Sequence, residues 1–323
     1  MAEFSIIEKY CRGIGVEHKS TKLNIGDDAA IVEIPNDMEL AISVDTMVEG
    51  VHFYPDTDPA FIAHKLAAVN LSDMAAMGAK PKWATLTLTL PKQDEAWLAA
   101  FSTSLDAIAK QHGLQLVGGD TSQGPLNLSL QIMGLLPKGK ALTRNNARVG
   151  NDVYVSNTLG DAALALQCIE GSIKYRGQNL EVLRNSLERP EPQVQLGLGL
   201  LNIARSCIDL SDGVVADLSH LAKLSEVSIE LDVDRLPLSP EYQRYINCGG
   251  NIDLALSGGD DYQLAFTASP ARRGELIELS KSIAVPITKI GSVVDAQNDV
   301  IVLMQSGQAY ELQKQSGYEH FGE

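Results

Sequence analysis

Residues 58–90 read DPAFIAHKLAAVNLSDMAAMGAKPKWATLTLTL, and they hold two periodicities back to back. Asp58 ahead of Pro59 is an N-cap followed by proline at the first helical position. The spacing predicts a helix through FIAHKLAAVNLSDMAAM that stops at Gly78, with Pro81 beyond it. Then Ala84, Leu86, Leu88 and Leu90 alternate with Trp83, Thr85, Thr87 and Thr89, the period of two that marks a half-buried strand. A helix feeding an antiparallel-looking strand points to an α+β fold rather than a regular βαβ array.

Working outward, Leu126, Leu128, Leu130 and Ile132 repeat the alternation. Strands are expected at 29–34 and 40–45, and a second helix over about 95–111 that Gly113 ends. The polar run RNNARVG (144–150) precedes a strand at 153–156, so a domain boundary is placed there, giving domains 1–148 and 149–323. The second half is expected to mix strands (228–233, 285–291, 300–304) with helices near 160–169, 193–204, 214–224 and 272–280. Trp83 and Trp97 read as packing residues on a strand face and a helix face.

At 323 residues the chain is long enough for two ordinary domains. The net charge of −15 argues against a partner that is tracked along a phosphate backbone, so neither DNA nor RNA is expected. No apolar run approaches the roughly 18–20 residues that span a bilayer, and MAEFSIIEKY lacks the pattern of a signal peptide. Cys11, Cys168, Cys207 and Cys248 are scattered, without a CxxC pair; this argues against a zinc site and a disulfide framework and fits a reducing cytoplasm.

Six short acidic motifs stand out: IGDD (Asp27, Asp28), SVDT (Asp45), NLSD (Asp73), GGDT (Asp120), DLSDG (Asp209, Asp212) and SGGDD (Asp260, Asp261). One Gly-Asp or Ser-Asp pair is ordinary turn chemistry. Six of them at element ends suggest carboxylates gathered around cations, and hard oxygen ligands are what Mg²⁺ prefers. Asn70 and Asp73 are three apart and share a helix side. No Walker loop and no protein-kinase motif set is present. Gly118-Gly119-Asp120-Thr121 can offer backbone N–H groups to phosphate, and the helix opened by Asp212-Gly213 can do the same. Arg144 is the candidate phosphate clamp. His52 follows Asp45 closely enough for a loop to carry it to the same cleft.

GIGDDAA, AISVDTMVEGVHF, NLSDMAAMGAKP, GGDTSQGP, ALTR, IDLSDG and SGGDDY, in that order, resemble the motif set of thiamine-monophosphate kinases, a family of the wider aminoimidazole-ribotide synthetase-like group. The likeness extends from about Phe4 to Phe321. It implies two α+β domains: an N-terminal one, with a mixed or antiparallel sheet, that pairs in a homodimer, and a C-terminal one that completes the active site. It implies Mg²⁺ ions held by Asp28, Ser43, Val44, Asp45, Asp73, Asp120, Asp209 and Asp212. ATP contacts would fall to Gly119, Asp120, Arg144 and Ser211, and thiamine monophosphate contacts to His52, Asp260 and Tyr318. Val44 stands where the family often has threonine and offers a metal only its carbonyl; Asp260 stands where glutamate is common.

The implied reaction is transfer of the γ-phosphoryl group of ATP to the phosphate of thiamine monophosphate. No side-chain acid or base is needed, since Asp45, Asp73 and Asp120 would act through the metal. The alternatives are another ATP-dependent synthetase of the same group, and a metal-loaded binding protein without turnover. The first would carry a reactive cysteine with a nearby lysine, or a terminal cysteine; neither context surrounds Cys11 or the last residues.

Overall fold

The computed structural model describes residues 3–175 and 179–312. The chain falls into two compact units, Met1–Met74 with Ala79–Ala141, and Ala75–Gly78 with Leu142–Glu323. Both are mixed α+β.

The first unit opens with a short helix α1 (Glu3–Ile6) and a two-stranded ribbon, β1 (Thr21–Leu23) with β2 (Ile31–Val32). Then come β3 (Met38–Val48), α2 (Pro59–Met77), β4 (Lys80–Leu90), α3 (Glu95–His112), β5 (Gln115–Gln123) and β6 (Asn127–Pro137). The last three residues of α2 group with the second unit. The four longer strands form one sheet in the order β3-β6-β4-β5, antiparallel except for the β4–β5 pair. Asp94 caps α3 by accepting from the Ala96 and Trp97 amides, and left-handed Gly113 ends it.

Alternation in β4 and β6 sorts the sheet into two faces. Leu86, Leu88, Leu128, Leu130 and Ile132 are buried on one, as are Leu66 and Leu71 of α2 and Leu98, Phe101 and Leu105 of α3. The other face is apolar only at one end. There Trp83, Val117 and Leu135 pack with Val32, Met38, Leu40 and Met133, and the Trp83 indole donates to Thr21 Oγ1 at 2.9 Å. Beyond that end it turns polar, as the threonine spacing of β4 requires.

The expected strand at 29–34 shrinks to Ile31–Val32, because its partner β1 is three residues long and the pairing is irregular. The other first-unit elements appear with ends shifted by a few residues, a usual margin.

The second unit contains β7 (Asp152–Ser156), α4 (Asp161–Ile169), α5 (Leu180–Glu188), α6 (Val194–Leu200), β8 (Ala204–Asp209), α7 (Val214–Ser225), β9 (Ser228–Asp232), α8 (Pro240–Asn247), α9 (Asp253–Ser257), β10 (Leu264–Ala268), α10 (Arg273–Ile283), β11 (Ile287–Val294), β12 (Ile301–Gln305) and β13 (Gln308–Ala309). Among the described residues its sheet runs β13-β12-β9-β11-β7-β10-β8. Only β12 and β9 pair in parallel. Its core gathers Val153, Val155, Leu164, Ile208, Leu218, Leu221, Ile229 and Ala265. The helix expected over 193–204 ends at Leu200, because the chain must turn before Ala204 enters β8.

At one edge of this core Asp152 is almost wholly buried and is held by Arg273 at 2.7 and 2.9 Å, by Lys289, and by the Tyr154 hydroxyl at 3.1 Å. Burial opposes its ionisation, but hydrogen bonds from Arg273, Lys289 and Tyr154 win and bring its pKa down to about 2. A folded-state value below the unfolded one stabilises above the unfolded pKa and is lost as pH falls through the folded one. Asp152→Asn is therefore expected to cost about 2 kcal/mol near neutral pH, with the gap narrowing as pH falls from about 5 to about 1; urea unfolding at each pH measures it.

Candidate active site

In the first unit two of the four acidic motifs, SVDT and NLSD, come together at β3. Its pleat puts Ser43, Asp45 and Met47 on the helix-covered side, and Ser43 Oγ donates to Asp73 Oδ2 of α2 at 2.5 Å. Thus SVDT and NLSD meet. The turn after β3 carries His52 back onto the strand, where its Nδ1 accepts the Val48 amide at 3.1 Å. That bond leaves Nε2 as the nitrogen that carries the proton of a neutral ring. Asp28 is exposed on the IGDD loop, and Arg12 braces that loop through the Ile25 carbonyl at 2.7 Å.

Asp120 is placed differently. Register aligns Thr46 with Ser129, Ser129 with Thr87, and Thr87 with Asp120, so these four share one face. Thr46 Oγ1 lies 2.7 Å from Ser129 Oγ, which fixes that row. Asp45 pairs instead with Leu130, on the opposite face. Within a single sheet, Asp120 and Asp45 therefore look out on different sides. Val44, 56% exposed, lies on the side of Asp120. Gly119 has φ +155°, and a Cβ there would stand 1.9 Å from the Leu86 carbonyl oxygen, so strand contact with β4 is what demands this glycine. No strand pairs with the outer edge of β5 at Gly119-Asp120 among the described residues, leaving that edge open to a ligand's approach.

In the second unit β8 ends at buried Asp209, and the turn Leu210–Gly213 leads into α7. The SGGDD segment lies against this turn: Asp260 N donates to Ser211 O at 2.9 Å and Tyr262 N to Leu210 O at 2.7 Å. Gly259 is required here, since a Cβ would stand 2.4 Å from the Ser211 carbonyl oxygen. Asp260, at φ +68°, accepts the Tyr262 hydroxyl at 3.0 Å. Arg144 begins a short 3₁₀ turn beside β8, where Cys207 N donates to Thr143 O at 3.2 Å; its carbonyl accepts Ser225 Oγ at 2.9 Å and its side chain is exposed. Arg144, Asp209, Ser211, Asp212 and Asp260 thus belong to one neighbourhood.

Two of the acidic residues serve the fold. Both Asp261 oxygens accept the Gly160 amide at 3.0 Å, and burial raises its pKa well above the ordinary carboxylate range, with Asp161, Asp260 and Asp217 adding to the rise. Asp217, which the motif reading missed, is buried; one of its oxygens accepts the amides of Asp212 at 3.0 Å and Gly213 at 3.1 Å. Burial, reinforced by Asp212 and Asp209, pushes its pKa up to about 7. A carboxylate of the same helix thus takes the amides of Asp212 and Gly213, which precede Val214, the first residue of α7. A reversed capping box, with the acid at the fourth helical position, was the available signal. Cys207 is buried and its thiol is pushed up by desolvation, so it is a packing residue.

The donors are hard oxygens, which suit Mg²⁺. Among the described residues no group of three or more His, Cys, Asp or Glu side chains comes together closely enough to hold a metal. Mg²⁺ commonly keeps its waters and takes one or two carboxylates together with substrate phosphates, so paired oxygens such as Ser43 and Asp73 fit it without an all-protein cage.

Residues 26–136 match the family model described as AIR synthase related protein, N-terminal domain. Thiamine-monophosphate kinase of Escherichia coli K12 is 42% identical over 320 residues, covering 99% of this chain and 98% of that protein. The chain belongs to the thiamine-monophosphate kinase family. The family's enzyme from Stenotrophomonas maltophilia K279a superposes with a TM-score of 0.83 at 42% identity, over 91% of this chain and 93% of that one. AaThiL complexed with AMPPCP and TMP superposes with a TM-score of 0.78 at 32% identity, over 92% of each chain. Of the residues assigned from the thiamine-monophosphate kinase motifs, Tyr318 lies outside the described residues.

Proposed function

We propose that this chain transfers the γ-phosphoryl group of ATP to thiamine monophosphate, giving thiamine diphosphate and ADP. The observation that carries this reading is identity of 42% along essentially the full length of a thiamine-monophosphate kinase. The AaThiL complex adds support, since AMPPCP is an ATP analogue and TMP the acceptor.

Asp28, Ser43, Asp45, Asp73 and Asp120 in the first unit, with the Val44 carbonyl, and Asp209 and Asp212 in the second are read as Mg²⁺ ligands. Bound Mg²⁺ would neutralise and align the phosphates of donor and acceptor. The chain's own work is to position. Gly119 and Asp120 on the open edge of β5, Arg144 with its exposed guanidinium, and Ser211 are assigned to ATP. His52, Asp260 and Tyr318 are assigned to the thiamine phosphate, His52 through its Nε2–H. The acceptor phosphate has a second pKa near 6, so it is largely ionised at neutral pH and needs no general base. Side-by-side assays with thiamine monophosphate and free thiamine test the reading: the monophosphate should be strongly preferred, and preference for free thiamine would reject it.

The N-terminal domain (1–148) is read as the metal, ATP and dimer domain, with 149–323 completing the site, in a cytoplasmic enzyme. No helix among the described residues is long and apolar enough to cross a membrane. Support for a homodimer comes from the polar sheet face, where Ile42 and Val44 are 58% and 56% exposed next to Gln131 and Thr46. A second copy laid on this face would also approach Asp120, which shares it. Ile42→Asp is expected to convert a dimer into a monomer on light scattering without lowering the melting temperature of the monomer unit; an unchanged dimer would place the interface elsewhere.

A further inference from the structure

We propose that Asp217 is a positioning residue whose carboxyl oxygen holds the acidic turn 209–213 in shape and so aims Asp209 and Asp212 at a cation. The turn is held from two sides. On one side the hold is backbone only: Leu210 N donates to Gln263 O at 2.8 Å, Tyr262 N to Leu210 O at 2.7 Å, and Asp260 N to Ser211 O at 2.9 Å. On the other it depends on a single side-chain atom, Asp217 Oδ2, which takes the Asp212 and Gly213 amides.

Those two amides belong to the N-cap residue of α7 and the residue before it, and Asp217 reaches back to them from the first turn of the helix. At 3% exposure it sits behind the turn, so it acts through Asp212 and Gly213 and is not itself a ligand. Gly213 fits the same account: its φ is +115°, and a Cβ would lie 2.8 Å from the Ser257 carbonyl carbon, so the turn has one backbone path and needs a firm anchor. The outcome is a turn held in one shape that presents carboxylates to metal.

This inference rests on reading Asp209 and Asp212 as metal ligands, and its test is built to fail separately from that reading. Both amide bonds land on one oxygen, so Asp217→Asn can keep them with its single carbonyl oxygen while losing the charge. Asp217→Ala loses both. Amide hydrogen exchange of the 209–213 segment and Mn²⁺ binding by electron paramagnetic resonance, neither of which needs turnover, are measured on the full chain. Wild type and Asp217→Asn should protect the segment alike and bind Mn²⁺ within about threefold of each other, whereas Asp217→Ala should lose the protection and weaken Mn²⁺ about 10–100-fold. Turnover with thiamine monophosphate should follow the metal concentration needed, recovering in Asp217→Ala when Mg²⁺ is raised. Protection and affinity unchanged in Asp217→Ala would overturn the proposal. So would an Asp217→Asn variant as impaired as Asp217→Ala, since charge would then be the active feature. If Asp217→Ala does not fold, Asp217→Asn decides alone. If wild type binds no Mn²⁺, the ligand reading fails and hydrogen exchange still decides the role of Asp217.

Discussion

Asp73→Asn is expected to lower turnover by at least about 100-fold while leaving the melting temperature within about 2 °C of the parent. The two halves of that expectation come from the same contact. Ser43 Oγ donates to Asp73 Oδ2 at 2.5 Å, and an asparagine oxygen can accept that bond in the same place. Helix α2 and strand β3 therefore keep their tie. What disappears is a negative charge on the side of the sheet that also carries Asp45. On the proposed reading, the same loss would also take an anionic ligand from Mg²⁺. Loss of an outer partner of a metal ligand costs about 10–100-fold, and a direct ligand costs more. Steady-state rates over a Mg²⁺ series, with a thermal melt of each sample, measure both; near-parental turnover at millimolar Mg²⁺ would remove Asp73 from the metal set.

Adjacent glycines give the second large effect. Gly119→Ala is expected to destabilise by about 3 kcal/mol or more and to abolish turnover, while Gly118→Ala should cost under about 1 kcal/mol. At Gly119 a Cβ would come within 1.9 Å of the Leu86 carbonyl oxygen, and the backbone sits at φ +155°. Nothing there can yield short of pulling β5 away from β4, because the obstructing atom is main chain. At Gly118 the Cβ would meet only the Thr85 methyl carbon, at an ordinary 3.7 Å. Denaturant unfolding of the two variants in parallel tests this, and equal stability would show that β4 and β5 are not so closely paired.

The residues that follow a strict period were readable without coordinates. Helix α2 was bounded by Asp58-Pro59 and Gly78, α3 by Gly113, and the two faces of β4 by its leucines and threonines, since each signal is local. The meeting of Ser43 with Asp73 was not read from periodicity; only the family resemblance placed the two together, around Mg²⁺. The placing of Asp120 opposite Asp45 was not readable either, because sheet order and register join residues far apart in sequence, and a one-residue shift would exchange the faces. Strand β10 and helices α5, α8 and α9 were missed for a related reason: they are short, and their apolar pattern makes sense only against the core around Leu218 and Ile229. Asp217 and Asp261 show the other limit. Both are aspartates beside glycine-rich turns, as the ligand candidates are, and only the bonds to Gly213 and Gly160 reveal that they brace the backbone.

In the proposed reaction the γ-phosphoryl group of ATP joins the phosphate of thiamine monophosphate, with cations between carboxylates and phosphates. Following γ-³²P-labelled ATP through a single turnover with thiamine monophosphate and Mg²⁺ tests it most directly. All transferred label should appear in the terminal phosphate of thiamine diphosphate, one ADP for each, and a chelator should stop it. Label released as inorganic phosphate, label on thiamine itself, or transfer that continues without a divalent cation would contradict the account.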